Sequence, residues 1–264
     1  MCIASLVPNR KTILMSVRNN RHMNLLSRAA ALLVGLFLPY SLAAVAADGF
    51  LTPYQARYEV YASGFSVGEA IITLRMPAPD SYQMTSAVRP NGLVAALASG
   101  EVQEQASGTL RDGAIQPHDY ERHLAAGKKS EQMQLQFDWT ARQVQVRYNT
   151  ERATLPLTSG VVDPLSLQLV VRDDLQRARL PSEYRLVDKT AIKSYQIRNQ
   201  GQETLATPLG TLTTTRIQQF EPGKTRMTTF WVAPTLRYLP VRISQEKKGK
   251  EVVRMEIRAV NQVQ

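Results

Sequence analysis

Residues 228–260 read TTFWVAPTLRYLPVRISQEKKGKEVVRMEIRAV, and this stretch decides the fold. Phe230, Trp231 and Val232 run into a break at Ala233-Pro234. Leu239, Val241 and Ile243 then alternate with Pro240, Arg242 and Ser244. After the polar turn Lys247-Lys248-Gly249-Lys250, Val253, Met255, Ile257 and Ala259 alternate with Arg254, Glu256 and Arg258. Apolar side chains at every second position place one face of a strand on a core and the other in water. Three antiparallel strands sharing one buried face are therefore predicted.

Most of the chain upstream repeats that period. Tyr54, Ala56, Tyr58 and Val60 alternate with Gln55, Arg57 and Glu59, and further strands are expected over 65–76, 82–88, 101–110 and 115–124. Asp112-Gly113 is a hairpin signal, and Pro117 marks its strand as one at an edge or just beginning. Met133, Leu135, Phe137 and Trp139 face one way while Gln132, Gln134, Gln136 and Asp138 face the other; 143–148 repeats the pattern. Strands resume at 183–186, 193–198, 202–206 and 211–219. An outer-membrane barrel would turn its apolar face outward, whereas glutamine and arginine mark this outer face as wet. Leu93 to Leu97, after the breaker Pro90-Asn91-Gly92, suits one or two helical turns.

One longer helix interrupts the strands. Asp163 suits an N-cap and Pro164 the first helical position, and Leu165, Leu167, Leu169, Val170 and Val171 then cover more than half the circumference. A surface helix shows a narrower stripe. The expected fold is mostly β, a single large curved antiparallel sheet or incomplete β-barrel, with one buried helix at about Asp163–Arg177 packed in its concavity.

The first 47 residues read as a cleavable signal peptide. Arg18, Arg21 and Arg28 precede an apolar run, and Val45-Ala46-Ala47 before Asp48 is the small-residue pattern of a cleavage site. Met1, Met15 and Met23 are all possible starts. Residues 48–264 are expected to form one exported domain, located in the periplasm. Cys2 lies in the leader, so that domain has no cysteine for a disulfide or a thiol nucleophile. Removing the leader takes the formal charge of +10 to 27 basic against 22 acidic residues. A modestly basic exported domain suits anionic envelope surfaces; its compartment excludes nucleic acid, and it is expected to be soluble rather than membrane-spanning.

Three local patterns carry a resemblance. Asp163-Pro164-Leu165-Ser166 opens the helix, Glu203 to Thr211 (ETLATPLGT) spans a strand and turn, and Thr229-Phe230-Trp231-Val232-Ala233-Pro234 with Tyr238-Leu239-Pro240-Val241-Arg242-Ile243 closes the chain. Together they resemble the exported bacterial family catalogued as domain-of-unknown-function 3108, over roughly Tyr54 to Val260. The resemblance implies an exported protein with a long curved antiparallel sheet. It brings no reaction, ligand or active-site residue.

Chemistry is sparse. Asp119, Glu121 and His123 fall on one face of a single strand, where they could hold a cation or share protons; a solvated strand face is the plainer reading. The sequence contains no phosphate loop or His-Glu-x-x-His. No cofactor or metal is expected, and no residue is assigned a catalytic role. Trp139, Trp231 and Tyr238 are read as core rather than as a sugar platform. Lys128-Lys129 and Lys247-Lys248/Lys250 read as solubilising turns or as a landing patch for anionic lipid. The sequence points away from an enzyme and toward a module whose apolar interior takes a lipid, a lipoprotein tail or another apolar ligand. Leu93, Val94, Leu97, Met133, Leu135, Phe137, Leu165, Leu169, Met255 and Ile257 would line that interior, or else fill a permanent core. The alternatives are an envelope scaffold acting through protein contacts and a carboxylate-dependent enzyme near Asp119.

Overall fold

The computed structural model describes residues 51–91, 100–126 and 129–263. Eight strands follow one another as an antiparallel meander: β1 (Tyr54–Ala62), β2 (Phe65–Arg75), β3 (Ser81–Pro90), β4 (Gly100–Arg111), β5 (Ala114–Ala126), β6 (Lys129–Asp138), β7 (Gln143–Tyr148) and β8 (Glu151–Pro156). The short β9 (Val161–Val162) leads into helix α1 (Ser166–Gln176). A second meander then runs through β10 (Glu183–Asp188), β11 (Ala191–Thr207), β12 (Gly210–Phe220), β13 (Arg226–Ala233), β14 (Leu239–Lys247) and β15 (Lys250–Asn261). Pairing of β1 with β15 joins the two meanders into one 15-stranded sheet whose edges are β8 and β9. All neighbouring strands are antiparallel except β9 and β10. Among the described residues no helix is long and apolar enough to cross a membrane.

Connectivity forces this sheet to curl. Laid flat, its edges would stand about 65 Å apart at ~4.8 Å per strand step. Yet β8 and β9 are consecutive, and the step from Pro156 to Val161 can reach at most about 18 Å. The two sides therefore approach each other. Arg185 of β10 donates from Nη1 to Thr158 Oγ1 at 3.1 Å and from Nη2 to the Ser159 carbonyl at 2.6 Å. Lys189, beyond β10, lies 5.3 Å from the centroid of the Tyr148 ring of β7. The strands β8 and β9 do not pair, so the sheet stays open along that seam.

Helix α1 occupies the space the curl encloses. Leu165 and Leu169, four residues apart, pack in one cluster with Tyr82, Leu135, Val144 and Ile257. Leu167 and Leu175, on the opposite side of the helix, pack in a second cluster with Tyr184, Ile197 and Ile217. The helix is thus gripped by both halves of the sheet, as its broad apolar circumference requires.

Four expectations need correction or limits. Pro117 sits in the interior strand β5, at the register shift opposite Ser107 and Gly108, where a bulge tolerates its missing N–H. The strands expected over 193–198 and 202–206 are one strand, β11, with an irregularity between Asn199 and Gln202. The alternation of β14 is not a dry face against a wet one: Leu239, Pro240, Val241, Ser244 and Gln245 are all buried. Long charged side chains cover one another on the outer face, where Glu256 accepts both Arg242 at 3.0 Å and Arg254 at 3.3 Å. The helical turns expected at Leu93–Leu97 lie outside the described residues.

Because both sides of α1 are buried, truncation on either side should cost about 2–5 kcal/mol. Leu167→Ala and Leu169→Ala are each expected to lower the urea midpoint substantially. A surface helix would tolerate one of them, and urea titration of the two variants distinguishes the cases.

Candidate functional site: the concave face and its helix

The helix is anchored by a buried polar cap. Asp163 is fully buried, and its Oδ1 accepts the backbone N–H groups of Leu165 and Ser166, each at 2.9 Å. Its own carbonyl accepts the N–H of Leu167 at 3.0 Å, so the first turn forms around Pro164 as the residue types predict. The other carboxylate oxygen, Oδ2, has no hydrogen-bond partner. Burial pushes the Asp163 carboxyl up to about 6, against the lowering effect of Ser166 and the backbone donors.

The cap continues into the sheet. The Tyr82 hydroxyl of β3 meets Ser166 Oγ at 2.6 Å, and both residues are buried. Burial, with the Asp163 charge second, holds the Tyr82 phenol well above its usual range. Its ring reaches the helix across Gly108, its cross-strand partner on β4. A Cβ at Gly108 would overlap the Gln116 carbonyl and stand 2.6 Å from the Tyr82 hydroxyl. Only glycine leaves room for this link.

Two further polar groups face inward. Tyr120 of β5 donates to Glu104 Oε1 at 2.7 Å, and Arg122 pairs with Glu131 at 3.2 Å. On α1, Arg172 is buried; its Nε donates to the Arg237 carbonyl at 3.1 Å and its guanidinium stands 4.9 Å from the centroid of the Tyr54 ring. The Arg172 Nη1 is buried without a hydrogen-bond partner. Arg237 and Tyr238 both hold left-handed backbone, φ 51° and 57°, so the arginine clasps a strained turn.

Met133, Leu135, Phe137, Leu165, Leu169 and Ile257 are buried in one apolar cluster, with Met255 packed against it. Leu93, Val94 and Leu97 lie outside the described residues. Asp119, Glu121 and His123 stand on the outer face, where His123 meets Glu121 while Asp119 bonds elsewhere. Glu121 accepts His123 at 2.8 Å, Gln134 at 2.8 Å and Gln105 at 3.1 Å, while Asp119 bonds Ser107 at 3.4 Å. These donors, Gln134 foremost, hold the Glu121 carboxyl below its usual range. Among the described residues no group of three or more His, Asp or Glu side chains could hold a metal ion. The outer face forms an open trough of about 790 Å³ beside Gln105, Glu121, Gln134 and Arg147. Trp139 packs against the core and donates its indole N–H to the Pro117 carbonyl at 2.8 Å. Trp231 donates to Glu203 at 2.9 Å.

The sequence reading passed over Tyr82, Glu104, Arg122 and Arg172. Strand parity carries the signal for two of them: Glu104 shares a face with Ala106, and Arg122 with Tyr120. Charged residues on an inward face are the mark to look for.

Residues 57–258 match the family described as "Protein of unknown function (DUF3108)". No curated protein matches the chain. Among solved structures, a beta-barrel-like protein of domain of unknown function DUF1849 from Brucella abortus is similar, with a TM-score of 0.55 at 10% identity over 81% of this chain and 99% of that one. A protein with a YmcC-like fold from Bacteroides fragilis aligns at TM-score 0.31 and 12% identity, over 80% of this chain and 97% of that one. At these identities the first likeness speaks for the fold alone.

The Asp163 carboxyl titrates at 3.8 without burial and at about 6 in the fold. The native state therefore favours the protonated form, and that stabilisation is complete below the lower value and lost as pH rises through the higher. Asp163→Asn retains the capping oxygen without the charge, so it should gain about 3 kcal/mol on the parent across that interval. Denaturation at several pH values measures it; a constant difference would show that the Asp163 carboxyl has the same pKa in the folded and unfolded states. Gly108→Ala should cost about 1–3 kcal/mol by overpacking, read as a lowered thermal midpoint.

Proposed function

The chain belongs to the DUF3108 family, and from that premise we propose that it is a non-catalytic protein of the bacterial periplasm that takes a lipid or other apolar ligand inside its half-barrel. One observation carries the reading. The helix filling the concavity is held at both apolar sides, yet it buries a carboxylate oxygen and a guanidinium nitrogen with no partners. Each such group costs about 1–3 kcal/mol relative to a satisfied one. The seat of α1 is thus weaker than its apolar contacts alone imply, and an acyl chain can compete for Leu135, Val144 and Ile257 when the helix shifts. The unpaired seam between β8 and β9 supplies the place where such a shift is least restrained. A scaffold role through protein contacts is the second reading; the exposed edge of β8 favours it, since an unpaired edge can accept another strand.

Native mass spectrometry of protein purified from the periplasm is expected to show a lipid-sized adduct removable by organic extraction. Asp163→Asn, which strengthens the helix seat at neutral pH, should lower its occupancy. Protein that emerges bare from repeated preparations, with no adduct restored by added fatty acid or phospholipid, would sink the proposal.

A further inference from the structure

Hairpin tips of the sheet alternate between its two ends, and strand register assigns each tip to one end. Tyr61 pairs with Arg254, Arg226 with Lys247, and Lys247 with Lys250. The β1–β2, β12–β13 and β14–β15 tips therefore share one end. Three cations stand there in a cross-strand row, Arg226 on β13, Lys247 on β14 and Lys250 on β15. Directly paired residues share a face, and like charges so placed repel. Lys224 and Lys248 extend the row at the two turns. The Lys248 N–H donates to the Thr225 carbonyl at 2.8 Å, which locks one tip to the other.

All five cations are exposed, and none forms a salt bridge among the described residues. Elsewhere on the same strands the pattern is different: Arg242 and Arg254 pair with Glu256, and Arg258 with Glu59. Glu246 and Glu251, nearest in sequence, are paired with each other on the opposite face, and Glu251 is engaged by Ser244 and Arg254. The fold thus sets five cations at these tips that form no salt bridge with the nearby carboxylates, Glu221 being engaged by Lys193 at 3.7 Å. The adjacent tip, between β1 and β2, carries Phe65, which is 76% exposed and is the exposed large hydrophobic among the described residues.

We propose that this end of the sheet docks on an anionic phospholipid bilayer, with the five cations over the headgroup phosphates and Phe65 entering the interface. An aromatic beside a cluster of free cations matches the bilayer boundary, which is negatively charged outside and apolar just beneath. An acidic protein partner would satisfy the lysines and leave Phe65 without a role. The inference does not depend on whether the interior takes a lipid.

Co-sedimentation of the purified protein with vesicles tests it. Binding is expected to equimolar phosphatidylcholine and phosphatidylglycerol, to weaken with added salt, and to be absent with phosphatidylcholine alone. The triple variant Arg226→Gln, Lys247→Gln, Lys250→Gln should lower partitioning about 100-fold, and Phe65→Ser about tenfold. Its thermal midpoint should hold or rise, since the repelling row is gone, which separates lost docking from lost folding. The charge-matched variant Arg75→Gln, Arg111→Gln, Arg142→Gln removes three exposed cations from the other end and should bind as the parent does. Equal loss in both triple variants, equal binding to both vesicle types, or no binding to the anionic vesicles would overturn the proposal. None of these outcomes bears on the interior lipid, which is read by mass spectrometry of the same variants.

Discussion

The link between Pro156 and Val161 constrains the rest of the molecule. It joins the two outermost strands of a 15-stranded sheet through four residues. No flat arrangement satisfies that connection, so the sheet bends until its edges nearly meet. The chain enters the enclosed space at the seam, places two valines on β9, and begins the helix at Asp163. The position of α1 thus follows from where the chain crosses from one edge to the other. Its two apolar sides are what let it remain there.

The enclosed space is not purely apolar. Asp163, Ser166 and Tyr82 form a buried chain from helix to sheet, and Arg172 reaches from the helix to the strained turn at Arg237. Partnered polar groups in a core specify one arrangement, because any other leaves donors and acceptors unpaired. Unpartnered ones act in the opposite direction and weaken the arrangement they belong to. Here both kinds sit on the same helix. It has a defined seat, fixed by Tyr82 and Gly108, and that seat carries a standing electrostatic cost. This combination is what a binding protein with a displaceable internal element requires, and it is why the interior rather than the outer trough supports the functional reading.

The ends of the sheet differ in chemistry as the faces do. One end collects the β12–β13 and β14–β15 tips with their free cations beside Phe65. The other carries the capped helix start and the turn held by Arg172. An elongated sheet whose tips alternate between ends can segregate surface charge in this way without any effect on its core.

Much of the fold was legible in particular residues. Alternation over 228–260 fixed three strands, since a period of two has no other structural meaning. Asp163-Pro164 marked the helix start, because both residue types suit the first turn for local reasons. Breadth of the apolar surface from Leu165 to Val171 implied burial on more than one side. Less was legible at β8 and β9. One is an edge strand with little burial and the other is two residues long, so neither imprints a pattern. Pro117 misled because a bulge, which arises from pairing between strands, accommodates it in an interior position. By itself, then, the sequence determined what most segments are and, outside β14, which of their sides is dry, since both follow from neighbours along the chain. Tertiary structure alone decided that the two edges approach each other across residues 157–160, that Tyr82 reaches Ser166 past Gly108, and that Arg226, Lys247 and Lys250 fall in one row. Those facts depend on register between distant segments, and a period carries no information about its partner.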